Sequence, residues 1–497
     1  MSNVLADLYP QNVFRIFEEI SQIPRGSGNE AAISRYVADF AAKSGYEAVC
    51  DNAGNAAVNV PASSGMEDRG KLILQAHMDM VCEKEAGSAH DFLTDPIEVY
   101  VDEGFVKAKG TTLGADDGIG MALALAIMEE KELKHPAMQF LFTTGEEIVF
   151  QGAKAMDRDL IDGDALIGLD CSRDDILMVS CAGISIHQFQ REVTRQALHP
   201  EKEWQGYDLT IKGLSGGHSA YAIAENRGNA VLLLGSVIKQ LRKQFPKDMQ
   251  ILSVEAGTLI NVIPAVAKVS FCCGKGDAAR FEAVLTEVCA ALKQKHAMTE
   301  PGLQVLLEKR ELVPGETCVS SADIACLLTF LDGFPNGVHT MQDSQMAESS
   351  ACMSILREEH GKLVAEGSIR SNVEALHDHL EDAFSQAAKA SGFQHVRLQR
   401  EPAWEYREES PLKQYVTACW ETVRGETPGL FKPHASVEGA IFIDKMAQKD
   451  KTLDVVGMGC RTWDVHTPQE RLEIASVDRA YQLLRYVVEH FELQYRG

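Results

Sequence analysis

The stretch LILQAHMDMV, residues 72–81, reads as a buried strand whose tip carries two side chains suited to a metal site. On an extended backbone alternate residues share a face, so His77 and Asp79 point the same way. One can ligate an ion while the other fixes the tautomer and orientation of the imidazole. A His-x-Asp pair alone is common by chance and usually lies on an ordinary surface. Its weight comes from further carboxylates downstream, each at the end of a strand-like run or in the turn before a helix.

The first of these lies in GTTLGADDGIGMALALAIMEE, residues 110–130, a Gly-rich turn that leads into a helix expected over residues 118–130. Asp116 and Asp117 stand just ahead of it. Helix capping accounts for one Asp and leaves the other to point elsewhere. The second is AMQFLFTTGEEIVFQGA, residues 137–153, a buried strand followed by Glu146 and Glu147. Adjacent carboxylates repel each other; a cation taken by one relieves the repulsion and leaves its neighbour free to act as a base. The third, ALIGLDCS, is an apolar strand ending in Asp170. Strands alternating with helices, each ending in a polar residue, predict an α/β sheet with its site along the carboxyl edge. The polar excursion over residues 83–110 is long for a structureless connection and predicts a short strand pair.

From about Ile184 the texture changes. YDLTIKGLSGGHSA is a strand and a Gly-rich turn holding His218, and residues 249–274 read as two strands joined through Asn261 and Pro264. Helical stretches lie at 226–245, 278–296, 321–331 and 375–392, with a strand at 362–371 that includes Arg370. A strand-helix-strand-strand-helix order, used twice, predicts a second domain of antiparallel sheet with helices on one face. The tail returns to helix-strand alternation, so residues 1–184 and 402–497 are read as one domain and residues 185–401 as an insertion. His466 lies in a loop past the strand DVVGMG and would supply a second imidazole.

Composition narrows the function. A formal charge of -24 argues against nucleic acid, which demands a basic footprint. No unbroken apolar run is long enough to span a bilayer. The opening MSNVLADLYPQNVF lacks the regions of a signal peptide, and the 12 scattered cysteines include no Cys-x-x-Cys pair. Both point to a cytoplasmic protein with reduced thiols, whose metal is held by His and carboxylates.

Collected, the candidates are His77, Asp116, Glu147, Asp170 and His466, with Asp79 and Glu146 beside them. Such a set suits two divalent ions, Zn²⁺ or else Mn²⁺ or Co²⁺, with one carboxylate bridging. Paired ions about 3.5–4 Å apart acidify a shared water and stabilise both oxygens of a tetrahedral intermediate, the chemistry of amide hydrolysis.

The order His-x-Asp, Gly-Ala-Asp-Asp-Gly, Gly-Glu-Glu, Leu-Asp and a late His resembles the two-metal exopeptidase superfamily of aminoacylases, carboxypeptidase G, tripeptidase T and carnosinase-like dipeptidases. LQAHMDMV, the run over residues 95–126 and SGGHSA are most similar to its aminoacyl-histidine dipeptidases. The resemblance implies a mixed-sheet catalytic domain with an inserted α+β lid domain, apparently a duplicated one. It also implies that His77 and Asp170 bind one ion, Glu147 and His466 the other, and Asp116 both. Asp79 would orient His77 and Glu146 would be the general base. His218, Asn261 and Arg370 would contact the substrate. The implied activity is hydrolysis of small unblocked peptides, Xaa-His dipeptides among them. Deacylation of N-acyl amino acids, tripeptide cleavage and non-catalytic peptide binding are the rivals. A homodimer is common in the superfamily, and an enlarged lid could replace the partner within one chain. The chain departs from the family's text at Ser436, where glycine is usual, and around His466.

Overall fold

The strand expected from the opening stretch forms over Leu72–His77, and all six of its residues are buried. The structure is a computed structural model that describes residues 4–246 and 248–495. Met138–Thr143 and Ala165–Gly168 flank this strand in parallel, and Asp454–Gly457 runs parallel to the latter. Strands enclosed on both sides read as continuous apolar runs, which is why these segments show no alternation. Their carboxyl ends therefore lie along one edge of the sheet. His77, Asp79, Glu146, Glu147 and Asp170 sit on or just past those ends.

Among the described residues the chain divides into two compact units. The first holds the residues up to Ser180, Tyr406–Lys432 and those from Val437 on; the second holds Cys181–Glu405 and Pro433–Ser436. The first unit is built on an eight-stranded mixed sheet in the order Ala48–Cys50, Ala56–Val60, Met138–Thr143, Leu72–His77, Ala165–Gly168, Asp454–Gly457, Ile176–Met178, Gly429–Phe431. The helix Ala115–Glu129 is buried on all sides, from Ile119 through Met128, as its uninterrupted apolar text requires. The helix Gln11–Ser21 packs on it through a stripe of Val13, Phe14, Phe17 and Ile20. The strand pair expected within residues 83–110 is Val99–Asp102 with Phe105–Ala108. It continues through Arg471–Glu473 to Thr462–Trp463, so His466 lies on the hairpin loop between those two strands.

The second unit is an antiparallel sheet carrying the helices Ala230–Gln244, Ala278–His296, Ser321–Gly333 and Glu374–Ser391. Its strand order is Gln304–Arg310, Trp204–Lys212, Ala267–Gly274, Met249–Ala256, Ala347–Glu359, Lys362–Ser371, Gly183–Glu192, Gln394–Glu401, with Gly337–Met341 paired beside Ala347–Glu359. The two halves have the same strand order and meet where Met249–Ala256 pairs with Ala347–Glu359. One half is nested in the other: Gly183–Glu192 precedes in sequence the whole half it does not belong to. The segment Pro433–Ser436, read from the sequence with the tail, is held in this unit. Its Pro433 and Ala435 carbonyls accept from the Ala182 N–H, and Ser436 Oγ donates to the Ala182 carbonyl at 2.7 Å.

Candidate metal centre

Because His77 ends its strand and Asp79 follows two residues on, the two side chains meet with His77 Nδ1 3.3 Å from Asp79 Oδ1. The other ring nitrogen, Nε2, lies 3.0 Å from Asp116 Oδ1. The second oxygen of Asp116 lies 3.3 Å from His466 Nε2, which is also 3.0 Å from Glu147 Oε1. Asp116 thus stands between two imidazoles and gives one oxygen to each. Ligand atoms of His77, Asp116 and Asp170 lie within 4.8 Å of one another, as do those of Asp116, Glu147 and His466. A third such set, His77, Glu146 and Glu147, overlaps both.

Asp79 ties the strand tip to the next loop. Its Oδ1 accepts the Glu146 N–H at 3.0 Å, and its Oδ2 accepts the Glu147 N–H at 3.2 Å and the Ser27 hydroxyl at 2.7 Å. Burial alone would raise this carboxyl, but His77, Ser27 and the Glu146 N–H bring it down to about 2. The loop beyond is strained. Val149 and Phe150 take φ of 66° and 57°, which β-branched and bulky residues rarely adopt, and the Phe150 N–H closes a turn on the Glu146 carbonyl at 2.9 Å.

Neither Asp of the Asp116–Asp117 pair caps the helix, contrary to the capping expected for one of them: the N-cap is Gly114, with no side-chain cap. Asp117 is buried and accepts the His77 N–H at 3.2 Å. The helix start is held instead by Glu470, which the sequence analysis leaves without a role. Its Oε2 accepts the N–H groups of Leu113 and Gly114, and its Oε1 those of Ala115 and Asp116. Four buried N–H groups without an acceptor would cost about 1–3 kcal/mol each, more than enough to justify burying one carboxylate. Arg25 also goes unnoticed in the sequence. It is buried and donates to the Met78, Asp79 and Gly114 carbonyls. The third such residue is Glu438, whose Oε2 accepts from Gln75 and Thr143 at 2.7 Å each. Burial pushes the Glu438 carboxyl up to about 8.

The donor set fits a divalent cation. Burial and the nearby Asp116 charge push Asp170 up to about 7, and burial with Asp170, Glu147 and Glu438 raises Glu146 despite His77. Hydrogen bonds donated to the Asp116 and Glu147 carboxylates lift His466 to about 11. Among the described residues no Lys or Arg side chain bonds to Asp116, Glu146, Glu147 or Asp170. A buried cluster of carboxylates with only two imidazoles to balance it is what a cation relieves, and its oxygen and nitrogen donors suit Zn²⁺ or Mn²⁺.

The other candidates lie in the second unit. His218 follows Gly216 and Gly217, both at positive φ, and its Nδ1 accepts the Ala220 N–H at 3.1 Å, which leaves the proton on Nε2. Burial and Arg370 lower it to about 4, so the ring is neutral. Exposed Asn261 accepts the Ser219 N–H on its carbonyl at 2.8 Å. Arg370 is buried, its pKa pushed down to about 10 by burial, and it makes no ion pair among the described residues. His434, hydrogen-bonded to Ser350 at 2.7 Å, is lowered to about 3 by burial and by Arg370.

Carboxylates and imidazoles gathered past the carboxyl ends of parallel strands in a mixed sheet are the build of a metallohydrolase. Residues 73–490 match the model of Peptidase family M20/M25/M40, and the chain belongs to that family. It is accordingly a peptidase, a hydrolase acting on peptide bonds. It is 30% identical over 484 residues, 97% of each chain, to the cytosol non-specific dipeptidase of Escherichia coli (strain K12). The crystal structure of aminoacylhistidine dipeptidase from Vibrio alginolyticus is similar with a TM-score of 0.86 and 28% identity, covering 99% of both chains. At 15% identity, the aminopeptidase PepT of Bacillus cereus shares the fold with a TM-score of 0.54 over 97% of this chain and 98% of its own. Among the described residues no helix is long and apolar enough to cross a membrane.

Proposed function

We propose that this chain is a metal-dependent dipeptidase of the cytoplasm that hydrolyses the peptide bond of small unblocked peptides, Xaa-His dipeptides among them. The observation that carries this reading is Asp116, set 3.0 Å from His77 and 3.3 Å from His466 by its two oxygens. In this reading His77, Asp116 and Asp170 hold one divalent ion, and Asp116, Glu147 and His466 hold another, with Zn²⁺ preferred and Mn²⁺ or Co²⁺ as alternatives. Ions bound there supply Lewis acidity that brings the pKa of water toward roughly 7 and balances charge on the substrate's carbonyl oxygen. Asp79 holds His77 in the Nδ1–H tautomer, leaving Nε2 as the ligand atom.

Glu146 accepts the proton of the attacking water and returns it to the leaving amine. His218, neutral with its proton on Nε2, donates to the substrate's carbonyl oxygen. Arg370 takes the carboxylate, and Asn261 is a further contact to the substrate. The free terminal groups of a dipeptide then set the register of cleavage.

The test is hydrolysis of carnosine, Ala-His, Gly-Gly, Leu-Leu, Ala-Ala-Ala and N-acetyl-methionine by the chain loaded with Zn²⁺, Mn²⁺ or Co²⁺. Cleavage of the free dipeptides alone is expected. Cleavage of only the acetylated substrate would make it a deacylase, and cleavage of only the tripeptide would make it a tripeptidase.

A further inference from the structure

The four consecutive N–H groups of Leu113, Gly114, Ala115 and Asp116 all end on one carboxylate, that of Glu470, at 2.8, 2.9, 2.8 and 3.2 Å. The same turn is gripped from the other side. Arg25 donates to the Gly114 carbonyl while also holding the carbonyls of Met78 at 3.0 Å and Asp79 at 2.8 Å. The glycines of the Gly-Ala-Asp-Asp-Gly run make room for that guanidinium. A Cβ on Gly114 would stand 2.6 Å from Arg25 Nη2, and one on Gly118 would stand 2.5 Å from it. An anion on the N–H side and a cation on the carbonyl side leave the Asp116 backbone little freedom.

Glu470 also belongs to the loop that carries His466. Its own N–H donates to the Thr467 carbonyl at 3.0 Å, closing the turn one residue past the histidine. Glu470 therefore fixes, through its side chain, the backbone of the residue that faces both imidazoles, and closes, through its own N–H, the turn that follows one of them. We propose that Glu470 is a positioning residue that sets Asp116 within reach of His77 and His466 together, so that binding of the second ion depends on it. The inference rests on the two-ion reading given above.

The experiment is isothermal titration of the chelator-treated full chain with Zn²⁺, comparing wild type, Glu470→Gln and Glu470→Asp. Glutamine keeps one acceptor oxygen and turns an NH₂ group toward two N–H donors, so half of the cradle is lost. Two equivalents are expected for wild type. In Glu470→Gln at least one equivalent should weaken by about tenfold or more, with unchanged circular dichroism. Glu470→Asp keeps the charge one methylene back and should fall between the two; it decides the matter alone if the glutamine variant does not fold. Two equivalents at wild-type affinity in a folded variant would overturn the proposal. Fewer than two in wild type would instead overturn the two-ion reading. A purely structural role would lower the melting temperature and leave the stoichiometry per folded chain at two.

Discussion

Asp79 accepts the backbone N–H of Glu146 at 3.0 Å on the same oxygen that faces His77 Nδ1 at 3.3 Å. One carboxylate therefore sets an imidazole and the backbone of the proposed base. An amide in its place offers one acceptor oxygen to three N–H groups and a hydroxyl. Asp79→Asn is expected to weaken metal binding by roughly 10–100-fold and to lower kcat as well, read by titration calorimetry and steady-state kinetics.

Glu146→Gln separates chemistry from ion binding. The side chain keeps its size and loses its basicity, so kcat should fall by on the order of 10²–10⁴ while metal content stays at the wild-type value. Retention of most activity would remove Glu146 from the role.

His77 and His466 belong to different candidate ion sites that share Asp116. His77→Ala and His466→Ala should each lose about one equivalent of metal after dialysis, measured by elemental analysis. An unchanged metal-to-protein ratio would sink the corresponding ligand.

Arg370 is buried without an ion pair among the described residues, a costly arrangement unless an anion completes it. Arg370→Ala is expected to raise KM for a dipeptide on the order of 100-fold. KM for the matching dipeptide amide, which lacks the carboxylate, should change far less.

The second unit carries an acid-sensitive chain of hydrogen bonds. His377 Nε2 meets Ser185 Oγ at 2.7 Å, Ser185 Oγ meets His187 Nε2 at 2.6 Å, His187 Nδ1 meets His395 Nε2 at 2.8 Å, and His395 Nδ1 meets Ser385 Oγ at 3.0 Å. Donation running from His377 to Ser385 satisfies every link, and it requires an acceptor nitrogen on His187 and on His395, so those two rings are neutral. Burial, with His395, His377, Arg397 and Arg400, pushes His187 down to about 3; burial and Arg400, against Glu374, Glu381 and Asp378, push His377 down to about 4. The unfolded chain takes up these protons from about pH 6.5 downward and the folded chain does not. Stability is thus fully present above about pH 6.5 and is lost as the pH falls toward 4. Urea midpoints should drop across that window, and His377→Gln should make the slope shallower.

Much of the first unit is legible in the sequence because its information is local. A strand enclosed by two parallel neighbours reads as a mainly apolar run, as Leu72–His77 does, and a residue two places on shares its side, so His77 and Asp79 can be singled out without coordinates. Glu147 and Asp170 follow from the same pattern of strand ends, and Asp116 from the Gly-rich turn before a helix. Glu470 is different, because the N–H groups it accepts lie 354 to 357 residues away and any residue type supplies an N–H. Arg25 likewise acts on carbonyls, and only the steric need for Gly114 and Gly118 leaves a trace in the text. In the second unit, Gly183–Glu192 pairs with Lys362–Ser371 and Gln394–Glu401 across an entire intervening half, a long-range pairing that periodicity cannot register.

The most direct test of the central claim is dipeptide hydrolysis by the chelator-treated chain while Zn²⁺ or Mn²⁺ is added in measured equivalents. Activity should be absent without metal and return as the ions shared by Asp116 load, reaching its plateau near two equivalents per chain, with Glu146→Gln loading equally and staying inactive. Full activity in the metal-free chain, or two bound ions with no cleavage by the wild type, would contradict the account.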